Sequence, residues 1–173
     1  MNIRIRYDNM PSTGGETKVS FGGRTDRAQI PANLTNKLNE MFTVELFKEA
    51  FPDITFGTVM LFGEGYGAKI QKAGSKYLPN DVNFILFDVA VGDWWLKRSD
   101  IEQIAEKFNI QAVPIVTHDT LDRLVQFIAD GCELPSIISK EKQIMEGLVL
   151  KPEVTLLGRN RERIITKIKY KDF

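Results

Sequence analysis

The chain has 173 residues, 43% of them hydrophobic and 27% charged, a composition typical of one soluble globular domain. Its 23 basic and 23 acidic residues cancel, so a polyanion must be bound by a local patch and not by the field of the whole molecule. One cysteine and one histidine exclude an intramolecular disulfide and a Cys/His zinc cluster, and no apolar run approaches the ~20 residues that span a membrane.

The first third of the sequence predicts a hairpin followed by helices. Residues 2–8, NIRIRYD, alternate isoleucine with arginine, which is the period of a half-buried strand and unlike a signal peptide. A turn over residues 10–16 and a returning strand over residues 17–23 follow. Apolar residues at helical spacing between residues 33 and 51 predict one or two helices that end before Pro52. Because the sequence shows neither a signal-peptide pattern nor a membrane-spanning apolar run, we expect a cytoplasmic protein that does not contact membranes.

The middle of the sequence combines apolar strands with two helices. Residues 57–67, GTVMLFGEGYG, predict a strand that runs into a glycine-rich turn, and residues 82–92 predict a central strand. Ser99, with Glu102 three residues later, predicts the N-cap and capping box of a helix. A second amphipathic helix is predicted to end at Gly131, and residues 100–138, which match no family motif, are expected to form a helical insert beside the sheets.

Two short strands close the predicted fold. Residues 145–152, MEGLVLKP, are apolar, and residues 162–171, ERIITKIKYK, form the last predicted strand. Strands lie at both ends of the chain and helices between them, without strict βαβ alternation. We predict an α+β fold with largely antiparallel sheets and flanking helices, in a single domain over residues 1–173.

The last strand carries an alternating row of lysines. Lys167, Lys169 and Lys171 would share one face, with Ile168 and Tyr170 on the other. A solvated face over a buried face is one interpretation. The other is a row of ammonium groups that faces a phosphate.

Two glutamates and one phenylalanine are further candidates. Glu146 opens an apolar strand, where a carboxylate is costly without a partner such as a metal ion or the nearby lysines. Glu64 lies between two glycines, which allow close approach of a ribose, although the same pattern also fits a plain turn. Phe87 can be part of the core or can stack on a base.

Five stretches resemble, in order, the motifs of one protein family. SFGGRTDRAQIP is similar to a short arginine motif, LFGEGYG to FGE-x-x-G, FILFDV to F-x-x-FD, EGLVLKP to EG-V-hydrophobic-K, and KIKYKDF to K-x-K. These motifs belong to the ATP-dependent RNA ligases, within the covalent nucleotidyltransferase superfamily of polynucleotide ligases and mRNA capping enzymes. The resemblance covers nearly the whole chain, and many small phage-type RNA ligases end in a similar sequence.

The resemblance implies a fold, a reaction and a nucleotide site. The fold would be a nucleotidyltransferase (ligase adenylation) domain that joins RNA 5′-phosphate and 3′-hydroxyl ends through a lysine-AMP intermediate, with ATP and Mg or Mn as cofactors. It implies that Glu64 binds the ribose of ATP and that Phe87 stacks on the adenine. Arg24 would contact a phosphate of the nucleotide or of RNA. Because Arg4, Arg6 and Arg27 lie near Arg24 in the sequence, they too are candidates to contact RNA.

The same resemblance implies the residues around the phosphates. Glu146 would help to hold the divalent metal, and Lys167 and Lys169 would contact the nucleotide phosphates, with Lys169 at the α-phosphate. Lys171 has no implied role and is expected to face solvent.

The nucleophile of the family does not occur in this sequence. The family places it in K-x-D-G, just before a strand similar to MNIRIRYD, so the lysine would lie four residues before Met1. We therefore expect an N-terminally truncated chain that does not form the adenylate alone. The alternatives are a non-catalytic nucleotide- or RNA-binding homologue, a DNA ligase or capping-type enzyme, and an accidental match.

Overall fold

A computed structural model describes most of the chain as two compact units, Met1–Val113 and Pro114–Phe173. No helix in the described part is long and apolar enough to cross a membrane. The turn predicted over residues 10–16 falls largely outside the described residues. The described residues are 1–10, 15–70, 77–131, 133–135, 142–144 and 146–173.

The first unit contains a six-stranded sheet. Its strands are β1 (Asn2–Asn9), β2 (Lys18–Gly22), β3 (Gly57–Gly67), β4 (Val82–Val91), β5 (Trp94–Trp95) and β6 (Gln111–Ala112). Their order is β2-β1-β3-β4-β5, all antiparallel, and β6 pairs with β4 in parallel. The predicted central position of β4 and the largely antiparallel α+β fold are confirmed.

Three helices of the described part contribute to the core of this unit. They are α1 (Ala32–Met41), α2 (Val44–Ala50) and α3 (Arg98–Lys107). The alternation in β1 directs Ile3, Ile5 and Tyr7 into the core, where the Tyr7 ring stacks on Phe47 at a centroid distance of 4.8 Å. Within the predicted helical insert, α3 packs beside the sheet, and its apolar face is part of the main core.

The start of α3 differs from the sequence prediction. Lys97 is the N-cap residue and makes no side-chain capping bond, while Ser99 lies within the first turn. Glu102 accepts a hydrogen bond from Arg98 Nε at 2.7 Å and does not close a capping box. The helix begins earlier because its register is set by burial of residues such as Ile101 in the core.

In its described residues, the second unit contains one α-helix and two small sheets. Its elements are α4 (Leu121–Ala129), β7 (Glu133–Pro135), β8 (Lys142–Ile144), β9 (Gly147–Leu150) and β10 (Thr166–Lys169). Antiparallel pairs form between β7 and β8 and between β9 and β10. The last strand is shorter than predicted, because the chain turns into a 3-10 helix at Tyr170–Asp172. Gly131 has φ of 71° and follows α4, as its predicted role as a helix terminator requires.

Candidate functional site

Glu64 lies within a continuous strand and not in a turn, which corrects the prediction for the glycine-rich segment. β3 runs through Gly63 and Gly65, whose missing side chains face the buried side of the sheet. A Cβ at Gly63 would overlap the Phe84 ring, and one at Gly65 would overlap Leu34. The glycines therefore let the sheet and helix approach closely, and strand alternation places the Glu64 side chain, 43% exposed, on the outer face.

Phe87 lies at an irregularity between β3 and β4. Phe62 pairs with Asp88 but the next residue, Gly63, pairs with Leu86, so Phe87 is an extra residue in β4. Leu86 and Val89 are both in the core, and the two residues between them consequently fall on the outer face. Phe87 is half-buried there. Strand alternation after Leu86 thus directs the Phe87 ring toward the face that carries Glu64.

The beginning of β1 also reaches Glu64. The Met1 nitrogen donates to Glu64 Oε1 at 3.1 Å and to the carbonyl oxygen of Gly65 at 2.6 Å. The Glu64 carboxylate can therefore accept hydrogen bonds at this face of the sheet.

Arg24 lies in a loop that Arg4 holds against the sheet. Arg4 donates from Nε to the carbonyl oxygen of Gly23 at 2.9 Å and from Nη2 to Asp26 Oδ1 at 2.7 Å. Gly23 packs so tightly that a Cβ there would lie 2.6 Å from the Ala28 side chain. Arg24 is exposed and makes no contact with another described residue that would occupy its guanidinium.

The four arginines near the start of the chain do not form one free basic surface. Arg4 is bound to the loop, and Arg6 donates to both Asp8 oxygens, at 2.9 and 2.8 Å. Arg24 and Arg27 remain exposed. Sequence reasoning missed the supporting role of Arg4, because alternation in β1 indicated only that its side chain leaves the core.

In the second unit, the β9–β10 ladder brings Glu146 and the lysines together. Lys169 pairs with Gly147, and a Cβ at Gly147 would overlap the carbonyl oxygen of Ile168. The Tyr170 amide donates to the carbonyl oxygen of Glu146 at 2.9 Å, which ties the two chain segments beyond the ladder. The glycine after Glu146 is thus required for this close approach of the strands.

The Glu146 carboxylate is paired with two ammonium groups. Lys169 Nζ lies 2.6 Å and Lys167 Nζ 3.8 Å from Glu146 Oε1. The hydrogen bond from Lys169, followed by the charges of Lys167 and Lys169, lowers the pKa of Glu146. The lysines therefore supply the partner that the sequence demanded for this carboxylate.

Lys171 does not share the strand face predicted for it. β10 ends at Lys169, and Lys171 lies in the 3-10 turn. Its side chain is exposed there, in agreement with the prediction that it faces solvent. The turn forms because Asp172 accepts a hydrogen bond from the Lys169 amide at 3.0 Å. Glu64, Phe87 and Arg24 thus lie in the first unit, and Glu146, Lys167 and Lys169 in the second.

Comparison with known proteins finds a family and related solved structures. The family model for RNA ligases matches residues 8–171. No curated protein matches the chain. A solved structure of a Naegleria gruberi RNA ligase with PPi matches at a TM-score of 0.66. Two mutants of that ligase also match: the TM-score is 0.62 for the one with ATP and Mn and 0.61 for the one with AMP and Mn. Each is 18% identical.

The chain spans about half the length of these solved structures, since each match covers 99% of this chain and 47% of the other. At this identity the likeness concerns the fold. It agrees with the predicted α+β nucleotidyltransferase architecture.

Proposed function

Because the chain belongs to the RNA ligase family, we propose that it is an ATP-dependent nucleotidyltransferase for RNA 5′-phosphate and 3′-hydroxyl ends, of the kind used in RNA repair. The observation that supports this most is the contact of Glu146 with Lys169, which joins the two last motifs across one ladder. ATP and a divalent ion, Mg or Mn, are the proposed cofactors, since the related solved structures contain ATP or AMP with Mn.

The outer face of the first unit would bind the nucleoside. The Glu64 carboxylate would accept hydrogen bonds from ribose hydroxyls, because carboxylates bind hydroxyls strongly through their charge. The Phe87 ring would stack on adenine, an interaction worth about 1–3 kcal/mol for a base on an aromatic ring. Arg24 would contact a phosphate of the nucleotide or of RNA, since its guanidinium is exposed on an anchored loop.

Lys167 and Lys169 would bind the nucleotide phosphates. Two ammonium groups on one short strand provide the positive charge that a polyphosphate requires. Lys169 would contact the α-phosphate, and Glu146 holds its ammonium in place before the nucleotide arrives. Preorganised charge of this kind costs little reorganisation when charge develops in the transition state.

Glu146 would also help to hold the divalent ion. Among the described residues no group of three or more His, Cys, Asp or Glu side chains is placed to bind a metal. One carboxylate nevertheless fits Mg²⁺, which is commonly bound by one or two carboxylates together with substrate phosphates and water. When bound, the ion would neutralise phosphate charge.

The proposed reaction requires an amine that this sequence does not place in its motif. A lysine amine attacks the α-phosphorus of ATP, forms a P–N bond and releases pyrophosphate as the bond to the β-phosphate oxygen breaks. The AMP then passes to the RNA 5′-phosphate, and the 3′-hydroxyl displaces it. Since no lysine stands in K-x-D-G, we propose that this chain alone binds ATP without forming the adenylate.

A non-catalytic nucleotide- or RNA-binding homologue is the second candidate, since no lysine of the given sequence stands in K-x-D-G. A DNA ligase or a capping-type enzyme would use the same nucleotide site. Incubation with nicked RNA and nicked DNA duplexes distinguishes the substrates of any variant that forms an adenylate.

Titration calorimetry with ATP and Mg²⁺ tests the proposed site. We expect Lys169→Ala to weaken ATP binding at least about tenfold, since a bond from a charged group contributes about 1.5–3 kcal/mol. Lys48→Ala is the matched control, because Lys48 is exposed on α2 and lacks a described partner. Unchanged affinity in Lys169→Ala would contradict the phosphate site, and a lysine-AMP adduct by intact mass would contradict the predicted inactivity.

A further inference from the structure

Positive charge is concentrated near the end of a chain whose net charge is zero. Residues 159–171 contain six basic residues and one acidic residue, although basic and acidic residues are equal in number over the whole sequence. The remainder is therefore acidic overall. A local basic patch is the only arrangement by which such a chain attracts a polyanion. The six basic residues are Arg159, Arg161, Arg163, Lys167, Lys169 and Lys171.

Half of these charges lie on a hairpin, residues 156–165, which we call the basic hairpin. The Ile164 amide donates to the carbonyl oxygen of Leu156 at 2.8 Å, and Leu157 forms a bridge with Arg163. The tip closes through the Gly158 amide, which donates to the carbonyl oxygen of Glu162 at 2.8 Å. The hairpin leads directly into β10 and its lysines.

The single carboxylate of the hairpin does not neutralise the arginines at its tip. Glu162 Oε2 accepts a hydrogen bond from Asn160 Nδ2 at 2.5 Å, and the Glu162 amide donates back to Asn160 Oδ1 at 3.1 Å. The side chains of Arg159 and Arg161 are exposed, and their guanidinium groups make no hydrogen bond or ion pair with any residue that the structure describes. Two guanidinium groups are consequently available at the tip.

The arms of the basic hairpin expose apolar side chains as well. Leu156 is 50% exposed, Leu157 53% and Ile164 53%. Apolar surface bordered by charge is typical of an interaction site. Residues 151–169 contain no aromatic side chain on which a base would stack, so recognition here would involve the sugar-phosphate backbone.

We propose that the basic hairpin binds the phosphodiester backbone of RNA through Arg159 and Arg161. This inference rests on the proposed function, because it assigns a docking surface to the RNA substrate. Guanidinium groups match phosphate oxygens in a bidentate geometry, and they are less strongly hydrated than ammonium groups. The hairpin directly precedes β10 in the sequence, the strand that carries Lys167 and Lys169.

Fluorescence anisotropy with a nicked RNA duplex, measured over a salt series, tests this proposal. We expect Arg159→Gln with Arg161→Gln to weaken RNA binding roughly tenfold and to lower the slope of log affinity against log salt by about 2. ATP affinity is expected to stay at the level of the unsubstituted chain. Arg159→Lys with Arg161→Lys keeps both charges and is expected to retain the salt slope, while it loses the part of the RNA affinity that depends on bidentate contacts.

A double variant with the same loss of charge elsewhere is the control. Lys48→Gln with Lys97→Gln removes two exposed charges from the first unit. Its effects on RNA affinity and on the salt slope are expected to be at most about half of those in the Arg159→Gln, Arg161→Gln variant. Unchanged RNA affinity in the Arg159→Gln, Arg161→Gln variant would overturn the proposal. The basic hairpin would then be a candidate surface for a protein partner. Unchanged ATP affinity in Lys169→Ala would instead contradict the proposed nucleotide site, so the two failures are distinguishable.

Discussion

Asp8 provides the most quantitative prediction, because it is a buried carboxylate in a defined set of bonds. Its side chain is 10% exposed and receives two hydrogen bonds from Arg6 Nε. Thr58 donates from its hydroxyl to Asp8 Oδ1 at 2.7 Å, and the two residues are direct partners in the β1–β3 pairing. The Asp8 carboxylate therefore links the end of β1 to the start of β3.

Burial alone would raise the pKa of Asp8, but the Thr58 and Arg6 hydrogen bonds and the charges of Arg6 and Lys18 outweigh it and lower the pKa. A carboxyl group whose folded pKa is depressed stabilises the fold above its unfolded pKa. That contribution is lost as the pH falls through the folded pKa. Asp8 should consequently stabilise the first unit at neutral pH and contribute progressively less in acid.

We expect Asp8→Asn to reduce the free energy of unfolding by about 1–2 kcal/mol at pH 7. Charge-assisted hydrogen bonds contribute about 1.5–3 kcal/mol, but Arg6 is 54% exposed, so its share is reduced toward about 1 kcal/mol. Asparagine can still accept from Thr58 and retains part of that bond. The substitution therefore removes mainly the charge.

Urea unfolding followed by tryptophan fluorescence is the appropriate assay, since Trp94 and Trp95 both lie in the first unit. Asp53→Asn is the control, because Asp53 is exposed and its side chain has no described partner. We expect the difference between Asp8→Asn and the unsubstituted chain to shrink as pH falls below 4, about the ordinary range of an aspartate. A difference that is the same at pH 7 and in acid would refute the reasoning.

Three further substitutions test other parts of the structure. Tyr7→Phe is expected to raise the free energy of unfolding by about 1 kcal/mol in urea, because the buried Tyr7 hydroxyl lacks a hydrogen-bond partner among the described residues; a loss of stability would contradict this. Gly147→Ala is expected to weaken ATP binding in calorimetry by displacing Lys169, whereas unchanged affinity would show that the ladder tolerates a side chain. Arg4→Met is expected to increase hydrogen exchange in the loop around Arg24, because Arg4 anchors that loop. When it is combined with Arg24→Ala, it should weaken phosphate or RNA binding little further, and fully additive effects would contradict this coupling.

Much of the site was predictable because its signals are local. The alternation of Ile3 and Ile5 with Arg4 indicates a strand with one buried face, and this follows from the two-residue period of any strand. The sequence also indicated that Glu146 needs a cationic partner and that lysines lie near it in a later strand. The roles of these residues in nucleotide binding stay predictions.

Only the tertiary structure decided which segments meet and where each element ends. The bulge at Phe87 depends on the register between β3 and β4, and the pairing of Arg4 with the loop at Gly23 depends on contacts across the sheet. The start of α3 likewise depends on the packing of residues such as Ile101 in the core. The periodicity of a sequence reports which face of an element is apolar, whereas register and element ends are set by neighbours that are distant in the chain.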